Sequence, residues 1–217
     1  MRKLLRDQGL TIVTLGLFLL FFGAQTVTGH RVYNADRQEY QQPPVSLGTY
    51  LQSGHFVEAT FENWESEFLQ MGAYVFLTAF LVQRGSAESR DPDQPNDSKE
   101  GEPITVDSPW AAKQSGAVRF VYENSLPIAL FGIFLFSFLM HAWGGARAYS
   151  EDEVAHGGNA VTTLQFLRTS QFWFESFQNW QSEFLAVAAL VVLSIFLRQR
   201  NSPESKPVNA PHSTTGA

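Results

Sequence analysis

The sequence predicts an all-α integral membrane protein: a four-helix bundle made of two tandem two-helix repeats with helical loops outside the membrane. Three observations carry this. Apolar residues are gathered into four blocks, the chain repeats itself at a fixed offset, and Lys and Arg crowd into alternate connections. Average composition hides the pattern, because 44% hydrophobic and 17% charged residues would suit a soluble domain.

The blocks run from Leu10 to about Thr28, Phe68 to Val82, Leu126 to Trp143, and Phe184 to Leu197. A hydrocarbon core needs roughly 20 helical residues to cross it. The first and third blocks come close alone. The second and fourth are shorter, but Phe61, Trp64, Phe172, Phe177 and Trp180 extend them upstream into an aromatic belt. Expected spans are therefore about 10–28, 61–83, 126–144 and 177–198. Arg2, Lys3 and Arg6 before the first block also suit a secretion signal, with Gly23-Ala-Gln25 as a weak cleavage site. The block has an interior twin, so it is read as a retained helix.

That twin belongs to a longer match. At an offset of 116, residues 10–89 align with 126–205 without a gap, and about 30 of the 80 pairs are identical. Phe61-Glu-Asn-Trp-Glu-Ser-Glu-Phe-Leu69 pairs with Phe177-Gln-Asn-Trp-Gln-Ser-Glu-Phe-Leu185. The expected organisation is a first repeat over 1–84 with an external loop at 29–60, and a linker over 85–116. A second repeat follows over 117–200 with an external loop at 145–176, then a tail over 201–217. Linker and tail are poor in large apolar residues and rich in Asp, Pro, Ser and Glu, a composition expected to stay disordered. The external loops keep apolar anchors such as Tyr33, Tyr50, Val161 and Phe166, so they are expected to pack as caps, with a short helix within Ser46–Ser53.

Orientation follows from counting cations. The two ends and the linker hold 11 Lys and Arg, whereas the two long loops hold only Arg31, Arg37, Arg147 and Arg168. Both termini and the linker are expected on the cytoplasmic side. Each repeat then enters with the same orientation, related by an axis along the membrane normal.

Composition also excludes functions. With 21 Asp and Glu against 15 Lys and Arg, the chain is no strongly basic nucleic-acid binder. Without cysteine it has no disulfide framework and no thiolate-ligated metal. His30, His55, His156 and His212 are scattered, with no pair at metal-ligand spacing on one helix, and no phosphate loop, nucleophile elbow or kinase signature occurs. No catalytic residue, metal or cofactor is expected.

Each even-numbered span shows an aromatic stripe (Phe61, Trp64, Phe68, Met71, Val75) and a separate polar one. With the aromatic face to lipid, the carboxylates turn inward. Glu67 and Glu183 fall about one turn inside the outer boundary, at the depth of Gln25 and His141 on the odd-numbered spans. The candidate polar cluster is Glu67, Glu183, Asn63, Asn179, Ser66, Ser182, Gln25 and His141. Two readings stand: an ion, proton or solute site, or hydrogen bonds that fix helix register in lipid. Glu62 and Glu65 become Gln178 and Gln181 in the second copy, which favours Glu67 as the acid of interest. Trp64 and Trp180, with Arg31, Arg147, Arg84 and Arg200, read as interface anchors.

Gln42-Pro-Pro-Val-Ser46, Phe61–Tyr74 and Ser194-Ile-Phe-Leu-Arg-Gln-Arg200 give the chain a family likeness. It resembles small four-span bacterial membrane proteins classed as a domain of unknown function. The resemblance implies a bacterial cytoplasmic-membrane protein and transfers no activity. The expected role is structural or protein-interacting, with lipid as one partner and a protein or a second copy as another. A small transporter, channel or proton-coupled protein using Glu67 and Glu183 is the alternative, and a membrane enzyme the third.

Overall fold

The computed structural model describes residues 2–91, 93 and 103–216, with side chains from Arg6 onward. Among these residues the regular structure is helical: α1 (Arg2–Glu39), α2 (Leu47–Tyr50), α3 (Gly54–Thr78), α4 (Ala117–Glu123), α5 (Ser125–Ala155), α6 (Thr163–Phe166) and α7 (Ser170–Phe196), with one 3-10 turn at Trp110–Lys113. Three helices are long and apolar enough to cross a membrane: α1 from Arg6, α5 and α7. The 25-residue α3, carrying Glu58, Glu62, Glu65 and Glu67, is not among them.

Local chemistry sets the helix limits. In α1, Thr14, Thr26 and Thr28 return their hydroxyls to carbonyls one turn back (2.9, 2.8 and 2.8 Å), which pairs these three donors within the helix. Beyond Glu39, Gln41 turns left-handed (φ 56°) ahead of Pro43-Pro44; beyond Ala155, Gly157 does the same (φ 83°). Ser46 caps α2 by accepting from the Thr49 N–H (3.2 Å), and Thr162 caps α6 in a reciprocal box with Gln165. Ser53 and Thr169 accept from the Phe56 and Phe172 N–H groups (3.2 and 3.3 Å), which starts α3 at Gly54 and α7 at Ser170. Both helices thus begin a turn or more before the apolar stretch at 61 and 177, and α3 stops at Thr78 rather than 83. The short helix sought within Ser46–Ser53 is Leu47–Tyr50.

These devices recur at positions 116 apart. Asn34 and Ser150 each bracket a loop valine, accepting from Val45 N (2.7 Å) and Val161 N (2.9 Å). The Gln83 and Gln199 N–H groups donate to Ser89 and Ser205 hydroxyls, both at 2.9 Å. Gly85 and Asn201 both have positive φ.

The chain forms two compact units. The first joins the segment up to Phe61 with Leu139–Phe172; the second joins Glu62–Phe138 with everything from Trp173. In the first, the buried apolar residues are Tyr50, Val57, Ala142, Ala146, Phe166 and Phe172. Here α3 and α5 approach closely: a Cβ on Gly54 would lie 2.5 Å from the Ala148 nitrogen, and one on Gly144 would lie 2.7 Å from the Glu58 nitrogen. The loop helices cover α1 and α5 through aromatic rings, Tyr33 on Tyr50 (5.6 Å) and Tyr149 on Phe166 (5.5 Å).

The second unit is built the other way round. Its buried residues among those described are polar: Glu65, Ser66, Ser86, Ser89, Ser137, Ser176, Ser194, Lys206 and Thr215. Its large apolar side chains, such as Phe136, Leu185 and Val192, are exposed. That inversion is what an apolar solvent demands of a helical segment.

Of the linker expected to be without order, residues 92 and 94–102 lie outside the described residues. The tail over 201–216 has no helix but is closed by a buried lysine. Lys206 Nζ donates to the carbonyls of Gly85 (2.5 Å), His212 (3.0 Å) and Thr214 (3.0 Å). The Thr215 hydroxyl accepts from Gly85 N (2.9 Å), and Gly216 N donates to the Ser86 carbonyl (2.9 Å).

Candidate functional site

In the second unit α3 and α7 meet through acids that the repeat comparison had set aside. Glu62 and Glu65 share one face of α3 with Glu58, at spacings of four and three residues. Asn179 Nδ2 donates to Glu62 Oε1 at 2.5 Å. Trp180 Nε1 donates to Glu65 Oε1 at 3.1 Å, and Glu65 has no exposed surface. Phe134 lies edge-on to Trp180 (6.2 Å), so the indole is wedged beside the carboxylate it serves.

The expected polar residues take different places. Ser66 and Ser182 return their hydroxyls to Asn63 and Asn179 carbonyls on their own helices, both at 2.8 Å. Asn63 and Glu67 are exposed, and Glu183 is half-buried. Gln25 and His141 belong to the first unit. Gln25 Nε2 donates to the Ala59 carbonyl (3.4 Å), while His141 is fully buried with its ring 4.8 Å from that of Phe172.

Among the anchors, Arg147 stacks over Trp143 (4.9 Å) and Arg84 clamps Asp93 through both terminal nitrogens (2.7 and 3.1 Å). Trp64 is half-buried, and Arg31 and Arg200 are exposed.

Three further features were missed. Ser137 and Ser176 are fully buried, and among the described residues their hydroxyls have no hydrogen-bond partner. Glu58 and His141 bring a carboxylate oxygen and an imidazole nitrogen within 4.8 Å of each other in the first unit. Toward the C-terminal ends of α1 and α5, Tyr33 donates to Glu151 at 2.8 Å, and burial, then that carboxylate, push its phenol above the ordinary value. The stripe Glu58, Glu62, Glu65 was the available signal, since three acids on one face of an otherwise apolar helix need partners.

What the fold and site define, among the described residues, is a helical protein with three helices able to cross a bilayer, one of which, α7, is joined to α3 by a polar seam. The whole chain, residues 1–217, matches the family described as Domain of unknown function (DUF6766), and the chain belongs to that family. No curated protein and no solved structure matches it.

Proposed function

We propose that the protein is a four-span protein of the bacterial cytoplasmic membrane, with both termini inside, whose role is structural or protein-interacting. The recurrence of caps, left-handed turns and loop brackets at positions 116 apart supports a duplicated hairpin. In that duplication α3 takes the place of α7 and serves as the fourth span.

One observation carries the functional reading: two acids of α3, the half-buried Glu62 and the fully buried Glu65, are engaged in helix-to-helix bonds with Asn179 and Trp180. A carboxylate held by an indole and packed on all sides fixes register and is poorly placed to load and release a solute. The transport reading rests on Glu67 and Glu183, the acid that both repeats carry at the same position. Glu67→Gln with Glu183→Gln, reconstituted in liposomes, separates them. Ion and proton flux equal to that of the parent supports the structural role. Loss of a flux that the parent shows, in a folded double variant, assigns the protein to transport. The absence of cysteine allows topology to be tested in the same preparation: Ser46→Cys labels from outside the cell, and labelling from the cytoplasmic side alone refutes the orientation.

A further inference from the structure

The segment leading into α5 carries an apolar surface that nothing in its own unit covers. On α4, Val118 (45%), Phe120 (64%) and Val121 (52%) are exposed, as is Trp110 (70%) in the 3-10 turn that lies against α4. At 100° per residue these α4 side chains, with Ala117 and Tyr122, occupy one broad face of the helix. The remaining stripe is polar, with Arg119 Nε donating to Glu123 Oε1 at 2.6 Å. Seven residues do not hold a helix in water by themselves, so this amphipathic turn needs a surface.

Chain geometry says which surface. α4 ends at Glu123, Asn124 breaks the helix (φ −110°, ψ 15°), and α5 starts at Ser125. The apolar run begins at Leu126. Three residues reach about 10 Å at most, and the headgroup layer on each side of the hydrocarbon is of order 5–7 Å thick. α4 is thus tethered at the membrane boundary.

The same break stands 116 residues earlier. Inside α1, Gln8 has non-helical angles (φ −134°, ψ 20°) just before its apolar run. The stretch ahead of it reads Arg-Lys-Leu-Leu-Arg-Asp, so Lys3, Leu4 and Leu5 correspond to Arg119, Phe120 and Val121. Both odd-numbered spans are preceded by a short amphipathic helix set off by a kink.

We infer that α4 lies flat in the phospholipid headgroup layer of the cytoplasmic leaflet, apolar side down. The occupant of the α4 surface is the bilayer that the chain itself spans, and the inference rests on the membrane reading above. Continuity with α5, whose apolar run begins three residues beyond the end of α4, favours lipid over a protein partner.

The test uses the full chain in phosphatidylcholine–phosphatidylglycerol vesicles, with single cysteines at Phe120→Cys and, as a second site, Val121→Cys. Each carries an environment-sensitive fluorophore, and Leu135→Cys on α5 serves as a depth control. Lipids spin-labelled near the headgroup are expected to quench the α4 sites more strongly than lipids labelled at the chain end, and more than aqueous iodide. Leu135 should show the opposite lipid preference. Iodide quenching of both α4 sites, with Leu135 quenched by lipid, overturns the inference and leaves the membrane reading intact. Quenching of α4 by the chain-end label as strongly as Leu135 overturns it as well, making α4 part of the span. A Leu135 site untouched by either lipid label refutes the membrane reading, and this inference falls with it.

Discussion

The Trp180 indole donates its hydrogen bond to Glu65, a carboxylate without exposed surface, at 3.1 Å. The first copy of the sequence supplies the acid and the second supplies the indole. At the exchanged pair of positions, Trp64 and Gln181, the acid is gone. The self-match of the sequence is broken at the residues that make this bond.

Replacing Glu65 with Leu removes the acceptor and leaves a buried indole N–H unpaired, a loss of about 1–3 kcal/mol. Glu65→Gln keeps an acceptor of the same size and should cost about 1 kcal/mol or less. Unfolding in detergent, followed by Trp fluorescence, measures both. A cycle with Trp180→Phe should return a coupling near 0.6 kcal/mol, the average for such bonds between helices in lipid. Equal stability of the Leu and Gln variants would remove the bond's structural role.

Much of this was legible in the sequence, and the failures share one cause. The apolar blocks marked α1, α5 and α7, because helix formation in lipid is a property of the segment alone. The left-handed turns at Gln41 and Gly157 fall at the 116-residue spacing of the self-match, although the residues themselves differ. What the sequence hid is partner choice. Glu62 and Glu65 looked dispensable because their twins are glutamines, yet they face Asn179 and Trp180. Glu67, with its acid retained, is exposed. Repetition reports what both copies need, whereas a bond between copies needs each residue only once. Lys206 was hidden likewise, its four carbonyl partners spread from Gly85 to Thr214.

Lys206 should act as the pin of the C-terminal tail. An ammonium converging on the Gly85, His212 and Thr214 carbonyls cannot be replaced by methionine, which offers no donor, nor by the planar fork of arginine. Lys206→Met and Lys206→Arg are both expected to expose 207–216 to limited proteolysis while α7 stays protected. Unchanged cleavage in both variants would mean that the Thr215 and Gly216 bonds hold the tail unaided.

The close approach of α3 and α5 in the first unit gives a third expectation. A methyl at Gly144 meets the backbone of Glu58 (2.7 Å) and the side chain of Val57 (2.7 Å), neither of which can swing aside as a flexible side chain would. Gly144→Ala should therefore lose about 1–3 kcal/mol through overpacking. Gly132, on the same helix, has open space where its Cβ would stand, so Gly132→Ala should be neutral or slightly stabilising. Thermal unfolding of the two variants side by side isolates packing from helix propensity.

Acid should loosen the segment between α1 and α3 through His55, which precedes the apolar part of α3. Its imidazole is half-buried against Tyr33 (5.5 Å) and Tyr50 (5.9 Å), and Tyr50 Oη is 3.4 Å from Nδ1. Burial pushes its pKa below the ordinary 6.5, and the Asp36 and Glu151 carboxylates pull it only part of the way back. The folded loop thus binds its proton less readily than the open one. The loop's full stability is present above pH 6.5 and declines as pH falls from there toward the lower folded value. Amide exchange over residues 47–56, corrected for the intrinsic pH dependence, should accelerate across that window, and His55→Gln should abolish the acceleration. A parent protein whose corrected exchange is flat through the same range would show that the ring keeps its proton equilibrium on folding, and that the loop is held by its tyrosines alone.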